Sequence, residues 1–154
     1  MRIKNNIFDN IINIICLIQL IGITIYLAVA WNSFPEQVPA HFGVGGVVTR
    51  YGGRGNLLVG PIVAWLSFGL ICIIERFPQI WNTGVRVTQE NKYQVYQIIK
   101  SLLSVAKLIM VLLLVSITIF QLQAANLPDW FMYLFAPIAL VAAGYFMIKL
   151  YKSR

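Results

Sequence analysis

Four long apolar runs dominate the chain, at roughly 8–31, 57–74, 100–123 and 130–148, and none has Asp or Glu at its centre. A helix of about 20 residues crosses a hydrocarbon layer about 30 Å thick, so each run is long enough to span a bilayer. Lipid offers no partner to a free backbone N–H or C=O, which leaves the helix as the economical spanning form. A barrel would need apolar and polar residues in alternation, and these runs lack it. The pattern therefore predicts an all-α membrane protein with four transmembrane helices.

The lysines and arginines sit outside or at the edges of the runs, with Lys107 as the exception. With the N-terminus inside, the inner side carries Arg2, Lys4, Arg76, Arg86, Lys92, Lys100, Lys149, Lys152 and Arg154, and the outer side only Arg50 and Arg54. That bias of nine to two predicts both chain ends in the cytoplasm. Trp31 and Trp130 stand at the expected outer helix ends, while Trp81 and Tyr151 suit the inner interface; Trp65, mid-helix, reads as a packing residue. The first run ends in Ala28, Val29 and Ala30, like a signal-peptidase site. Its length of about 20 residues exceeds the usual signal core, so the segment is expected to remain as a span.

Composition agrees: 59% of the 154 residues are hydrophobic and 11% charged, too apolar for a domain whose solvent is water. The net charge of +7 follows from topology and from attraction to anionic headgroups, and calls for no nucleic-acid partner. Cys16 and Cys72 fall in spanning helices as small hydrophobes, with no disulfide expected, and His41 stands across the membrane from them. No metal site, catalytic constellation or cofactor is expected from these residues.

The outer loop, 32–56, is stiffened by Pro35 and Pro39 and then loosened by six glycines. Phe34, Val38 and Phe42, spaced by four, predict a short helical turn against the membrane, kinked at Pro39. Gly43, Gly45 and Gly46 predict a tight turn with positive φ, after which Arg50, Tyr51 and Arg54 lead back to the second helix. His41 is a candidate contact for a ligand or for protons; the blander role, fixing the loop through hydrogen bonds to nearby backbone, is the more frequent one.

Thr88 is a candidate N-cap for a third helix over 88–123, its hydroxyl accepting from the amide of Glu90 or Asn91. Gln97, Lys100, Ser101, Ser104 and Lys107 form a polar stripe on that helix. The favoured reading has Lys107 snorkelling to the inner headgroups. The functional reading is a polar cavity in which Lys107 pairs with Asp9 or Glu75. The link 124–129 makes the third and fourth helices antiparallel neighbours, Pro137 predicts a kink, and Ala142, Ala143 and Gly144 would permit close contact.

Pro35, Pro39, His41, Phe42, Gly46, Tyr51, Gly52 and Arg54, with Pro61, resemble a bacterial membrane family of unknown function marked by a Pro-x-x-x-Pro-x-His-Phe outer loop. The same domain forms the N-terminus of SdpI-like immunity proteins. Trp81, Asn82, Val87, Thr88, Glu90, Asn91 and Tyr93 resemble that family's inner segment. The resemblance implies a bacterial inner membrane, no established enzymatic activity, and relatives that protect against a secreted peptide toxin or hold a repressor at the membrane. Two expectations follow. One is a receptor or immunity-type protein whose outer loop meets a secreted peptide or envelope component, with membrane lipids around it and a cytoplasmic regulator at the inner segment. The other is a transport-type component or accessory subunit working through the polar stripe of the third helix; Thr88 and Asn91 in the cytoplasmic segment and Lys107 in the third helix are the further candidate residues.

Overall fold

Asn6 starts the first helix: its side chain accepts from the Asp9 amide at 2.7 Å while the Asp9 carboxylate accepts from the Asn6 amide at 3.1 Å, a reciprocal cap. From there α1 runs Ile7–Ala30. A computed structural model describes residues 3–153, the side chain of Met132 apart. Arg2 and Arg154, which contribute to the charge bias, lie outside the described residues. The other helices are α2 (Val59–Ile74), α3 (Lys92–Leu122) and α4 (Asp129–Lys152). With the flanking turns, four helices are long and apolar enough to cross a membrane.

The loop after α1 departs from the expected helical turn. It is a β-hairpin, with β1 (Gln37–Phe42) antiparallel to β2 (Val48–Gly53) and Val38 opposite Gly52, Pro39 opposite Tyr51 and His41 opposite Arg50. A spacing of four puts Val38 and Phe42 on one face of a strand as well as of a helix, so the pattern did not discriminate. Pro39 is tolerated because N–H and C=O of one residue point the same way in an antiparallel pair. Its carbonyl faces outward and accepts from Gln121 Nε2 at 2.8 Å, so the missing N–H falls on the edge away from β2. The turn itself matches the glycine reading at Gly45 and Gly46, both with φ of +76°, but not at Gly43.

The hairpin is seated on the bundle. Gly46 is buried under the α3–α4 link, where its carbonyl accepts from the Leu127 amide at 2.8 Å and the Val48 amide donates to Asn126 Oδ1 at 2.9 Å. A Cβ at Gly46 would stand 2.7 Å from the Leu127 carbonyl oxygen.

α3 is the central helix, packed against α1, α2 and α4. Ile12, Cys16, Leu20, Ile23 and Leu27, spaced by three and four along α1, meet Val111 and Val115 of α3 and Ala64 of α2, with Leu57, Phe34 and Val38 closing the hairpin end. In lipid, where apolar side chains gain little by meeting one another, close approach and polar ties matter more. Gly60 supplies the close approach, since a Cβ there would collide with the Thr118 hydroxyl of α3. Trp65 is more than packing: its Nε1 donates to Thr24 Oγ1 of α1 at 3.1 Å. The expected tight contact at Gly144 is not made, as a Cβ there would meet open space. α4 continues through Pro137 and leaves much of its surface exposed, as at Tyr133, Leu140 and Val141.

α3 begins at Lys92 rather than at residue 88. Thr88 and Asn91 brace the approach to it reciprocally, the Thr88 amide donating to Asn91 Oδ1 at 2.7 Å and the Asn91 amide to Thr88 Oγ1 at 3.3 Å. The amide group of Asn91 also donates to the carbonyls of Arg86 and Ser153, both at 3.0 Å, tying the segment before α3 to the end of α4. Trp81 does not act solely as an interface anchor: its Nε1 donates to the Ile74 carbonyl at 2.8 Å and its ring packs on Tyr96.

Candidate functional site

The polar stripe of α3 faces α1, and α1 answers with a stripe of its own. Asn6, Asp9 and Asn13, spaced by three and four, lie along one helical face. Asp9 is fully buried. Its Oδ2 accepts from Gln97 Nε2 at 3.0 Å and its Oδ1 from the Ser101 hydroxyl at 2.9 Å, in addition to the cap bond from Asn6. Asn6 Nδ2 donates to the Ser101 oxygen at 3.2 Å. Lys100 Nζ donates to the Ile3 carbonyl, drawing the segment before α1 onto α3.

One to two turns deeper along α3 is Lys107, whose side chain has no exposure. It does not snorkel. Its Nζ lies 2.9 Å from Glu75 Oε1 as an ion pair, outside hydrogen-bond alignment, and donates to Asn13 Oδ1 at 2.6 Å and to Cys72 Sγ at 3.7 Å. The Phe68 ring lies 5.4 Å from it, close enough for a cation–π contact. α1, α2 and α3 thus share one charge. The physical reason is pairing: with the carboxylate of Glu75, at the end of α2, beside it inside the bundle, the ammonium group has a partner there and need not reach for the membrane surface. Of the two partners expected for a paired Lys107, Glu75 makes the contact, and Asp9 is engaged with Gln97 and Ser101 instead. Ser104, on the same face of α3, is buried with no hydrogen-bond partner for its hydroxyl among the described residues.

Beside this pair opens a cavity of about 530 Å³ at the end of the bundle that carries residues 3 and 153, lined among others by Lys4, Asn13, Cys72, Glu75, Arg76 and Lys100. The site residues read from the loops gather elsewhere. His41 is exposed on the hairpin, its Nδ1 2.7 Å from Thr49 Oγ1, and the Thr49 hydroxyl also donates to the His41 carbonyl at 3.3 Å. Arg54 Nη1 donates to the Trp31 carbonyl at 3.2 Å, capping the end of the first span. Pro39 is buried, Phe42 half-buried, and Pro35 and Tyr51 are exposed. The hairpin candidates and Lys107 therefore occupy opposite ends of the bundle. Asn13, Cys72, Gln121 and Asn126 were not singled out as site residues by the sequence. For Asn13 a signal existed in its spacing from Asn6 and Asp9; for the others only the fold supplies one.

An uncharacterized protein of Archaeoglobus fulgidus is 35% identical over 77 residues, half of this chain and 38% of that protein. The matched stretch thus spans well under half the length of the archaeal relative. No solved structure matches the chain significantly. Residues 18–64, which make up the second half of α1, the hairpin and the start of α2, match a domain of unknown function (DUF1648).

Proposed function

We propose that this chain is a non-enzymatic membrane-embedded binding protein, of receptor or transport-accessory type. It admits a small polar ligand from the end bearing residues 3 and 153 to the Lys107–Glu75 pair. The observation that carries this reading is a buried ion pair whose acidic member, Glu75, lines a cavity. Such pairs rarely stabilise a fold better than apolar residues of the same volume, so use is a stronger reason for one than stability. Intramembrane ionisable residues of this kind mark ligand or ion pathways. The charge bias supports a cytoplasmic position for the cavity in this reading.

Cys72 reports on the cavity, because it lines the space and touches Lys107. In vesicles holding the full chain with Cys16→Ala, a membrane-impermeant thiol reagent is expected to label Cys72 from the side of the termini and not from the hairpin side. Absence of labelling from the terminal side would sink the reading.

A second reading draws on the hairpin, where His41, Arg50 and Tyr51 stand exposed. In it they contact a secreted peptide or envelope component, as the immunity-type resemblance implies, and the Thr88–Asn91 segment meets a cytoplasmic regulator. An R50A/Y51A variant that inserts normally should lose toxin protection or partner capture on this reading and keep both on the first.

A further inference from the structure

A groove of about 560 Å³ runs between α1 and α3 toward the hairpin, lined along its depth by Gly22, Ile23 and Val115 and at its mouth by Tyr26, Ser33 and Gln123. Clefts of about 300–1,000 Å³ are the usual size for a small ligand. Gly22 stands about 12 Å along the axis from Ala30, the end of α1, at about 1.5 Å per residue. Half of a hydrocarbon layer about 30 Å thick is about 15 Å, so the groove extends through most of one leaflet, the one beside the hairpin. No close helix contact demands a glycine at position 22, since a Cβ there would meet nothing within 4 Å. The space beside it is open, and at this depth there is no water to fill it.

The mouth is polar without charge: among the described residues lining the groove none is acidic or basic. Tyr26 and Gln123, both exposed, bring to it a hydroxyl and a side-chain amide, neutral groups that donate and accept. The Ser33 hydroxyl donates to the Ala30 carbonyl at 2.7 Å and keeps its lone pairs for a further donor. Lipid tails are as apolar as the wall of the groove, so the choice among lipids falls to shape and to the head. We infer that the groove seats one lipid of the hairpin-side leaflet, its hydrocarbon chain along Gly22, Ile23 and Val115 and its uncharged, hydroxyl-bearing head, a glycerol or a sugar, at Tyr26, Ser33 and Gln123. This site lies at the other end of the bundle from the Lys107–Glu75 cavity and does not depend on the reading given to that pair.

The test uses the full chain in phosphatidylcholine nanodiscs doped with a galactosyl diacylglycerol that carries a photoreactive diazirine near the end of one acyl chain. Mass spectrometry after illumination should find crosslinks concentrated on peptides holding Ile23 and Val115, and fewer of them when a phosphatidylglycerol with the same chain replaces the sugar lipid. Gly22→Leu fills the groove from open space and should lower that crosslinking about tenfold or more, the scale set by forcing extra methylenes into occupied volume. Gly144→Leu, which likewise enters open space but on α4, should leave it unchanged. Crosslinks in the parent spread evenly over the lipid-facing sides of α1, α2 and α4 overturn the site, and equal labelling by the two lipids overturns the uncharged head. A disulfide between two copies carrying Gly22→Cys in a chain lacking Cys16 and Cys72 would show a second copy in the groove and overturn the lipid.

Discussion

Lys107 stands where an ammonium group has most to lose, with no exposure and lipid-facing helices around it. Its contacts with Glu75, Asn13, Cys72 and the Phe68 ring explain how the charge is retained. Removing one member leaves the other unpaired. Lys107→Met should therefore destabilise the bundle by about 3–5 kcal/mol, while K107M/E75L should recover most of that loss, both read by reversible unfolding in mixed micelles. A single variant as stable as the parent would disprove the burial. The sequence carried the stripe of α3 legibly, because its spacing is local. It did not carry the choice between headgroup and Glu75, which depends on where the end of α2 comes to lie beside α3.

Among the elements, the helices were the most legible, since runs of apolar residues fix them almost independently of their neighbours. The hairpin was not, because Pro39 argues against a strand until its edge position is known, and Gln121, 82 positions away, provides that edge contact. Gly46 now has a double reason to be glycine, a φ of +76° and the Leu127 backbone against its Cα. Gly46→Ala should cost about 1–3 kcal/mol and unseat the tip from the α3–α4 link. Faster amide exchange at Leu127, with α1 unaffected, would register it; unchanged protection at Leu127 would count against the docked tip. Thr88 shows the reverse error: its hydroxyl bond was anticipated, yet it braces a turn ahead of the helix rather than the first helical residue.

For the molecule as a whole, the hairpin lies between α1 and α2 while the cavity is lined by residues at the start of α1 and the end of α2, so the two sit at opposite ends, and the charge bias is the ground for expecting the cavity end in the cytoplasm. With cysteines placed singly at His41 and Ser153 in a chain lacking Cys16 and Cys72, an impermeant label applied to intact cells should reach position 41 and not 153. The opposite outcome would reverse the two faces and every role assigned to them. α4 is the outlier in this assembly. It is joined by Leu127 to the hairpin tip and by Ser153 to Asn91, and between those ties it leans on α3 alone among the long helices with substantial contact. Asp9, Asn13, Glu75 and Lys107 all precede it in the chain. During synthesis, then, the Lys107–Glu75 pair and the bonds of Asp9 to Gln97 and Ser101 draw only on residues made before α4, and the last segment arrives to brace a core that already contains them.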